Sequence, residues 1–403
     1  MENISEISFQ IDVDNYNSTR INSKIVTSLK NKSYKILNYN RDFICNDDKN
    51  SSLYRSVIVS SPENKLVCYS HPRSTDLEEF KKTHVLDSIN YYVNEIVEGT
   101  MINLFFDNRI GEWEISTKGS VGGNYWYFRN TYEKSNSMQQ KTFYEMFLDA
   151  LCIEDLSDTG FLSLLPGDHS YSFVIQHPEN HIVLPIDNPY AYLVGVYKID
   201  QDTNTASMIP ISDYMNWAAF KDTKIQLPYQ YPLDGETFDS LYEKYCSPNN
   251  SMINLGIMIT DIRTGERTSI ENSVYANLKE LRGNNPNLQY QYLCLKRANK
   301  IKEFLHYFPR YRKIFYTFYN QYTRFIKDVH NSYVSYYVKK SGVQVAKKFF
   351  VHAYKIHHNI FLPSLNNGEK KIITRDVVKE YVDNLDPGEI LYYINYDMKN
   401  PEN

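Results

Sequence analysis

The spacing of apolar residues changes its period along this chain of 403 residues, and this change constrains the fold more than any other feature. Up to about residue 290, short β-type runs recur in pairs around turn residues, as over 55–68, where Pro-Glu-Asn separates two runs. Over 301–329, apolar residues recur at three- and four-residue steps, interrupted once at Pro309. The pattern predicts the α+β class, with a domain of antiparallel sheets and flanking helices over 1–290 and an all-helical domain over 291–403.

Further segments carry the same two patterns. Paired strands are expected over 94–119, 171–184, 190–211 and 255–267. Amphipathic helices are expected over 140–151, 237–245 and 374–384.

Basic and aromatic residues are concentrated together in the predicted helical domain. Residues 296–358 carry 14 Lys and Arg against two acids, a local net charge of +12, so the rest of the chain carries −16 within a formal total of −4. The window also holds 16 of the 59 aromatic residues. Cations bind phosphates and rings stack on bases, so the pattern indicates RNA or DNA binding. A helical core of aromatics with lysines on its outside is an equally good interpretation.

The residues expected to contact RNA are basic members of this window. They are Arg297, Lys300, Arg310, Arg312, Lys313 and Arg324.

The five cysteines predict an intracellular, reducing, cytoplasmic location. They are scattered singly without a Cys-x-x-Cys pair, which argues against a zinc site and a disulfide framework. No apolar run reaches the roughly 18 to 20 residues that a membrane span requires. His330, His357 and His358 have no acid or cysteine at ligand spacing, so no metal site is expected.

Several segments, taken in chain order, resemble the motifs of phage-type RNA ligases. The first four are Arg55-Ser-Val-Ile, Phe80-Lys81-Lys82, Glu95-Ile96-Val97-Glu98-Gly99-Thr100 and the segment 113–120. Residues 171–183 resemble the family's Phe-Glu strand and the Pro-Glu-Asn stretch after it, 255–258 its Glu-Gly motif and 293–296 its terminal Lys-x-Lys. The resemblance covers most of the chain, because these ligases also carry a helical C-terminal domain. It implies a fold of the covalent nucleotidyltransferase superfamily, and it raises a viral source as a hypothesis.

The chemistry of that family depends on residues that this chain lacks. In the family, a lysine attacks the α-phosphate of ATP, carboxylates bind the ribose and the metal, and two final lysines neutralise phosphates. The matching positions of the nucleophile, the strand glutamate, the Glu-Gly glutamate and the first final lysine hold Ile96, Val174, Leu255 and Cys294. An isoleucine has no nucleophilic atom, and valine and leucine cannot bind Mg²⁺. The resemblance therefore implies a degenerate, inactive member with no catalytic residue and no cofactor, ATP and Mg²⁺ being expected only if the chain is an active ligase.

Other positions retain the family's residues and are expected to line the old nucleotide pocket. They are Arg55, Glu98, Gly99, Lys118, Phe173 and Lys296. For the charged members the alternative is an exposed strand residue, and for Phe173 it is ordinary core packing. Cys294 lies beside basic residues, which predicts a lowered thiol pKa.

Three classes of function fit these patterns. The first is a pseudoenzyme that binds RNA or an RNA-associated partner through the old cleft and the basic helices. The second is an active ligase with another nucleophile, such as Lys81 or Lys82. The third is an mRNA cap or 5′-end binding module, or a scaffold subunit of a viral RNA-handling complex with protein partners in RNA processing or translation.

Overall fold

The computed structural model describes residues 7–44, 48–126, 141–157, 160–180, 182–221, 223–250 and 254–399. These residues form two compact units, one ending at Glu280 and the other starting at Leu281. The first contains the sheets and the second is helical, which confirms the predicted α+β class with antiparallel sheets and a helical C-terminal region.

The strands of the described ranges all lie in the first unit. In chain order they are β1 (Ser8–Gln10), β2 (Ile21–Thr27), β3 (Ser33–Tyr39), β4 (Val57–Ser61), β5 (Leu66–Tyr69), β6 (Tyr91–Glu95), β7 (Thr100–Asp107), β8 (Glu112–Thr117), β9 (Ser120–Val121), β10 (His169–Gln176), β11 (Tyr190–Asp200), β12 (Thr205–Ile209), β13 (Ile225–Gln226), β14 (Gln230–Tyr231), β15 (Gly256–Asp261) and β16 (Arg267–Glu271).

The helices are found in both units. In chain order they are α1 (Lys49–Ser52), α2 (Leu77–Thr83), α3 (Phe143–Leu151), α4 (Ile211–Tyr214), α5 (Phe238–Leu241), α6 (Ser273–Arg282), α7 (Leu288–Arg297), α8 (Ile301–Tyr307), α9 (Arg312–Tyr333), α10 (Lys347–Ile356), α11 (Leu362–Asn366), α12 (Arg375–Asp383), α13 (Pro387–Ile394) and α14 (Tyr396–Lys399).

Three sheets build the first unit. The largest has the order β1-β12-β11-β10-β7-β8-β9, with β13 paired in parallel to β11. The second has the order β14-β6-β15-β16, and the third β2-β3-β4-β5. Apart from the β13 pair, the strand pairs of these sheets are antiparallel.

Side chains alternate in direction along β6 and β15, so the second sheet has a buried apolar face and an opposite, more polar face. Tyr91 and Val93 on β6 and Ile257 and Ile259 on β15 are buried in one core with Phe80 of α2. The residues between them point to the opposite face, because successive side chains of a strand alternate. Register pairs Asn94 with Met258 and Tyr92 with Thr260 on that face.

Gly256 allows β15 to begin beside β16. Its φ of +135° lies where side chains are rarely tolerated, and a Cβ there would lie 2.2 Å from the carbonyl oxygen of Ile270. The glycine of the predicted Glu-Gly position therefore serves close strand packing.

Most predicted elements are present. The pairs over 55–68, 190–211 and 255–267 are β4 with β5, β11 with β12 and β15 with β16. The pair over 94–119 includes β7 with β8, and helices begin and end near the predicted limits as α3, α8, α9 and α12. The helix predicted over 237–245 is present as α5 followed directly by a π-helical segment, Tyr242–Cys246.

The paired run over 171–184 is a wrong prediction. Its first part is β10, which pairs with β7 and β11 instead of with the segment that follows it. The amides of Ile182, Val183 and Leu184 donate to the carboxylate of Glu98 at 3.0–3.2 Å, so this segment is tied to a side chain and not to a strand.

Candidate anion-binding site

A cavity of about 200 Å³ lies in the first unit, against the polar face of the second sheet. Tyr92, Asn94 and Ile96 line it from β6 and the residue after it, and Met258 and Thr260 from β15. Residues of β10 and β11, including Val174 and Leu193, line it as well.

Three residues that the sequence placed in the old nucleotide pocket meet in this cavity. Arg55, Ile96 and Val174 all line it. The amide of Ile96 donates to the carbonyl oxygen of Gly256 at 3.0 Å, which fixes the chain at the end of β6. The position matching the nucleophilic lysine therefore faces the cavity with a hydrocarbon side chain.

The cavity is lined by cations that have no acidic partner among the described residues. Arg267 is 9% exposed, and its Nε has no hydrogen-bond partner there. Burial, and next the charge of Arg55, lower the pKa of Arg267 to about 10. Burial also lowers the pKa of Arg55, against the opposing effect of Tyr39 and Tyr197. A buried cation without a counter-ion is costly, so an anion bound here would be strongly stabilised.

Two further buried polar atoms at the same cavity are unpaired within the described ranges. They are Nδ1 of His71 and Oδ1 of Asn94. Burial, followed by the charges of Arg267 and Arg55, holds the pKa of His71 well below its ordinary value, so this imidazole is neutral. Buried polar groups are nearly always satisfied, and three unpaired ones around one cavity indicate a ligand site.

Lys118 belongs to a basic cluster around the ring of Tyr39. Its Nζ lies 4.1 Å from the ring centroid. Burial raises the pKa of Tyr39, but the charges of Lys118, Arg55 and Arg41 outweigh it and lower that pKa. Since Arg55 also lines the cavity, the positive potential extends from the cavity to this cluster.

Three other residues assigned to the pocket by the resemblance do not line the cavity. Glu98 is buried and accepts the amide hydrogen bonds of 182–184. A Cβ on Gly99 would lie 2.3 Å from the carbonyl oxygen of Ile175. Phe173 is fully buried in the core, edge-on to Phe147 at 5.5 Å. Leu255, one of the degenerate positions, is buried and does not line the cavity either, whereas Met258 and Thr260 of the following strand do.

The terminal Lys-x-Lys segment lies on helix α7 of the second unit. Lys296 is ion-paired with Asp383 at 3.0 Å, and its Nζ lies 4.5 Å from the ring centroid of Tyr322. The expected low pKa of Cys294 is wrong: burial raises it, and the hydrogen bond with Tyr290 and the charge of Arg297 do not compensate.

Sequence reasoning missed Arg267, His71 and Asn94. Arg267 pairs with Thr260 after the turn at Gly265, so its place on the cavity face follows from strand alternation once the register is known. A charged residue at an inward position of a strand was the available indication.

The helical unit presents a basic surface on α9. Phe315, Phe318, Tyr322, Phe325 and Val329 are buried along one stripe. The opposite stripe, which we call the α9 basic face, consists of exposed Arg312, Lys313, Tyr316, Tyr319 and Arg324. The rings of Tyr316 and Tyr319 are stacked at 6.5 Å, and both are more than half exposed. Arg297, Lys300 and Arg310 are exposed on neighbouring segments.

The described residues contain neither a metal-binding cluster nor a membrane-spanning helix. Within those ranges, no group of three or more His, Cys, Asp or Glu residues is arranged to hold a metal ion. No helix in the described part of the chain is both long and apolar enough to cross a membrane.

Part of the chain is similar in sequence to a known RNA ligase. No family model matches the chain. It is 26% identical over 129 residues to an RNA ligase of Rhodothermus phage RM378, a segment that covers 32% of this chain and 28% of that protein. The similarity agrees with the resemblance of the chain to RNA ligases.

Two solved structures are similar at low identity. A putative ATP-dependent DNA ligase from Aquifex aeolicus aligns with 66% of this chain and 62% of its own, at 12% identity and a TM-score of 0.41. An archaeal ATP-dependent RNA ligase aligns with 94% of this chain and 92% of its own, also at 12% identity and a TM-score of 0.41. The chain thus spans less than two thirds of the Aquifex protein and of the matched phage ligase.

Proposed function

We propose that this protein is an RNA-ligase-like RNA-binding protein that does not form a covalent nucleotide adduct and that holds a terminal phosphate of RNA in the cavity. The observation that carries the proposal is the composition of the cavity wall, where Arg55 and Arg267 lie beside Ile96 and Val174 and have no acidic partner among the described residues.

The wall supports anion binding without covalent chemistry. No lysine is among the lining residues that the structure describes, so no amine faces the bound group. Lys81 and Lys82, the alternative nucleophiles, lie on α2 in ion pairs with Glu78 and Glu79. Glu95 also lines the cavity, but its carboxylate accepts the amide of Tyr229 and is not ion-paired with either arginine.

The volume favours a phosphate group over a whole nucleotide. Pockets for small-molecule ligands usually occupy about 300 to 1,000 Å³. The 200 Å³ available here suits a phosphate with part of its ribose. The apolar side chains of Ile96 and Val174 add a desolvation cost for a triphosphate and its metal.

The α9 basic face supports binding of the strand itself. Its exposed cations can contact phosphates, and the stacked pair Tyr316 and Tyr319 offers ring faces to unpaired bases. This is the footprint expected for single-stranded RNA.

The experiment compares two RNA oligonucleotides of one sequence, with a 5′-monophosphate or a 5′-hydroxyl, by fluorescence anisotropy. The phosphorylated strand is expected to bind about tenfold more tightly, since a charge-assisted contact contributes roughly 1.5 to 3 kcal/mol. Arg267→Gln should remove the difference, whereas Arg109→Gln, outside the cavity, should keep it. Equal affinities for the two strands would reject the terminal-phosphate site.

Competition separates the related hypotheses. Unlabelled phosphorylated RNA should displace the probe better than ATP, GTP or a cap analogue. Selective displacement by the cap analogue would instead support a cap-binding module.

A further inference from the structure

We propose that the helical unit contains a second anion site, a cavity that receives one phosphate of the backbone of the bound RNA; the inference rests on the RNA binding proposed above. The cavity has a volume of about 300 Å³ and lies among α7, α9, α12 and the start of α13. Lys296, Arg297, Tyr322, Lys379 and Asp383 supply its polar wall.

Positive charge exceeds negative charge on this wall. Nζ of Lys296 lies 3.0 Å from one carboxylate oxygen of Asp383, and Nζ of Lys379 lies 2.8 Å from the other. The hydroxyl of Tyr322 donates to the same carboxylate. One carboxylate therefore serves two ammonium groups, and the guanidinium of Arg297 lies 3.8 Å from its nearest acid, Asp386. Even with Asp386 included, three cations face two acids.

The geometry leaves donors available to a ligand. The side chains of Lys379 and Arg297 are 56% and 58% exposed, so both can turn towards a group in the cavity. Burial raises the pKa of Asp383, but hydrogen bonds from Lys379, Tyr322 and Lys296 outweigh it and keep the acid ionised. A phosphate can accept from an ammonium and a guanidinium at the same time, and Arg is well suited to it.

The first test removes two cations from the full-length protein. Lys379→Gln combined with Arg297→Gln should weaken binding of a labelled single-stranded RNA about tenfold. It should also reduce the slope of log K against log salt by roughly 0.7, because the loss of one phosphate contact on a single strand accounts for about that much. The matched control, Lys370→Gln with Lys371→Gln, removes the same charge from exposed residues that do not line the cavity. Equal weakening by both pairs, or weakening by neither, would overturn the inference.

The second test changes the acid. Asp383→Asn frees Lys296 and Lys379 from their internal partner and should tighten RNA binding severalfold. A purely structural ion pair would leave RNA affinity unchanged, and that result in a folded variant would contradict the site. If Asp383→Asn does not fold, the lysine and arginine pair still decides the question.

Two comparisons separate the sources of the phosphate and the two proposals. If inorganic phosphate at constant ionic strength stabilises the wild type but not the double variant, while RNA affinity is unchanged, the site binds free phosphate and the RNA inference is wrong. If RNA affinity depends on Lys379 and Arg297 while the 5′-phosphate preference is absent, the terminal-phosphate proposal fails and this inference holds. If the 5′-phosphate preference is present while RNA affinity does not depend on Lys379 and Arg297, only the inference of a second site is wrong.

Discussion

Arg267 and Arg109 show how one residue type can have opposite effects at two sites of the strand unit. Arg109 forms a two-atom ion pair with Asp107, which is almost fully buried. Arg267 is more deeply buried than Arg109 but has no acid beside it within the described ranges. Arg109 neutralises the buried carboxylate of Asp107. Arg267 is itself a buried charge without an acidic partner in the described ranges.

This contrast predicts opposite changes in stability. Arg267→Met should raise the free energy of unfolding by about 1 to 3 kcal/mol, because it replaces an unpaired buried cation with a side chain of similar size. Arg109→Met should lower it by about 2 kcal/mol, since the carboxylate of Asp107 would lose its cation and keep only the neutral donors, the hydroxyl of Tyr34 and the backbone amide of residue 109. Urea unfolding of the ligand-free proteins measures both changes. A loss of stability in Arg267→Met would mean that the arginine is satisfied internally.

His352 predicts a dependence of stability on pH. It is fully buried against the hydroxyl of Tyr381, and burial lowers its pKa from 6.5 to about 4. Between pH 6.5 and pH 4 this histidine is protonated in the unfolded chain but not in the folded chain. Its contribution to the free energy of unfolding is therefore fully present above pH 6.5 and decreases as the pH falls towards 4. From pH 7.5 to pH 5 the contribution of this group is about 2 kcal/mol.

The measurement compares wild type with His352→Gln, which is neutral throughout and can still bond to Tyr381. Urea unfolding followed by far-ultraviolet circular dichroism should show a smaller loss between pH 7.5 and pH 5 in the variant. Identical losses in both proteins would contradict the assignment.

Among the helices, α9 has two faces of different chemistry, a buried apolar stripe and the α9 basic face. Its phenylalanines fill the core of the helical unit, and its exposed tyrosines alternate with cations. The aromatic window of the sequence thus contains both expected patterns at once, a packed stripe and the α9 basic face. Which residue belongs to which stripe follows from the helical period.

Charge reversal on the α9 basic face and at neighbouring Arg310 is predicted to abolish RNA binding. Arg310→Glu, Arg312→Glu and Lys313→Glu together should remove binding at moderate salt and flatten its salt dependence, because they replace phosphate contacts by repulsion. Electrophoretic mobility shifts with circular dichroism as a folding check measure the effect. Reversal of Lys339, Lys340 and Lys371 is the control, and an equal loss there would show a general charge effect.

The sequence predicted elements better than sites. The period of apolar residues located α3, α8, α9 and α12, and turn residues located most hairpins, because these features are local. It did not show that 182–184 would be tied to Glu98, since the contact joins residues more than 80 positions apart. The cavity was found only partly for the same reason: Ile96 and Val174 were identified through motifs, whereas Arg267, His71 and Asn94 meet through sheet register.

At the scale of the whole molecule, the formal charge of −4 conceals a basic helical region and an acidic remainder. The strand unit lies in this acidic remainder, yet its cavity is lined by Arg55 and Arg267. The net charge of a region therefore does not give the charge of a buried site within it. The basic window over 296–358 supports contact with the phosphate backbone of RNA. The cavity of the strand unit supports recognition of one terminal phosphate. Together they support the proposed non-covalent binding of RNA.

The most direct test of that central claim is covalent labelling. Purified protein is incubated with ATP or GTP labelled on the α-phosphate, with Mg²⁺ or Mn²⁺, and then denatured and separated by electrophoresis. We expect no label on the protein with either nucleotide, while an active RNA ligase treated in parallel is labelled. A denaturation-stable adduct on this chain, retained after Ile96→Ala and lost after substitution of one lysine, would contradict it.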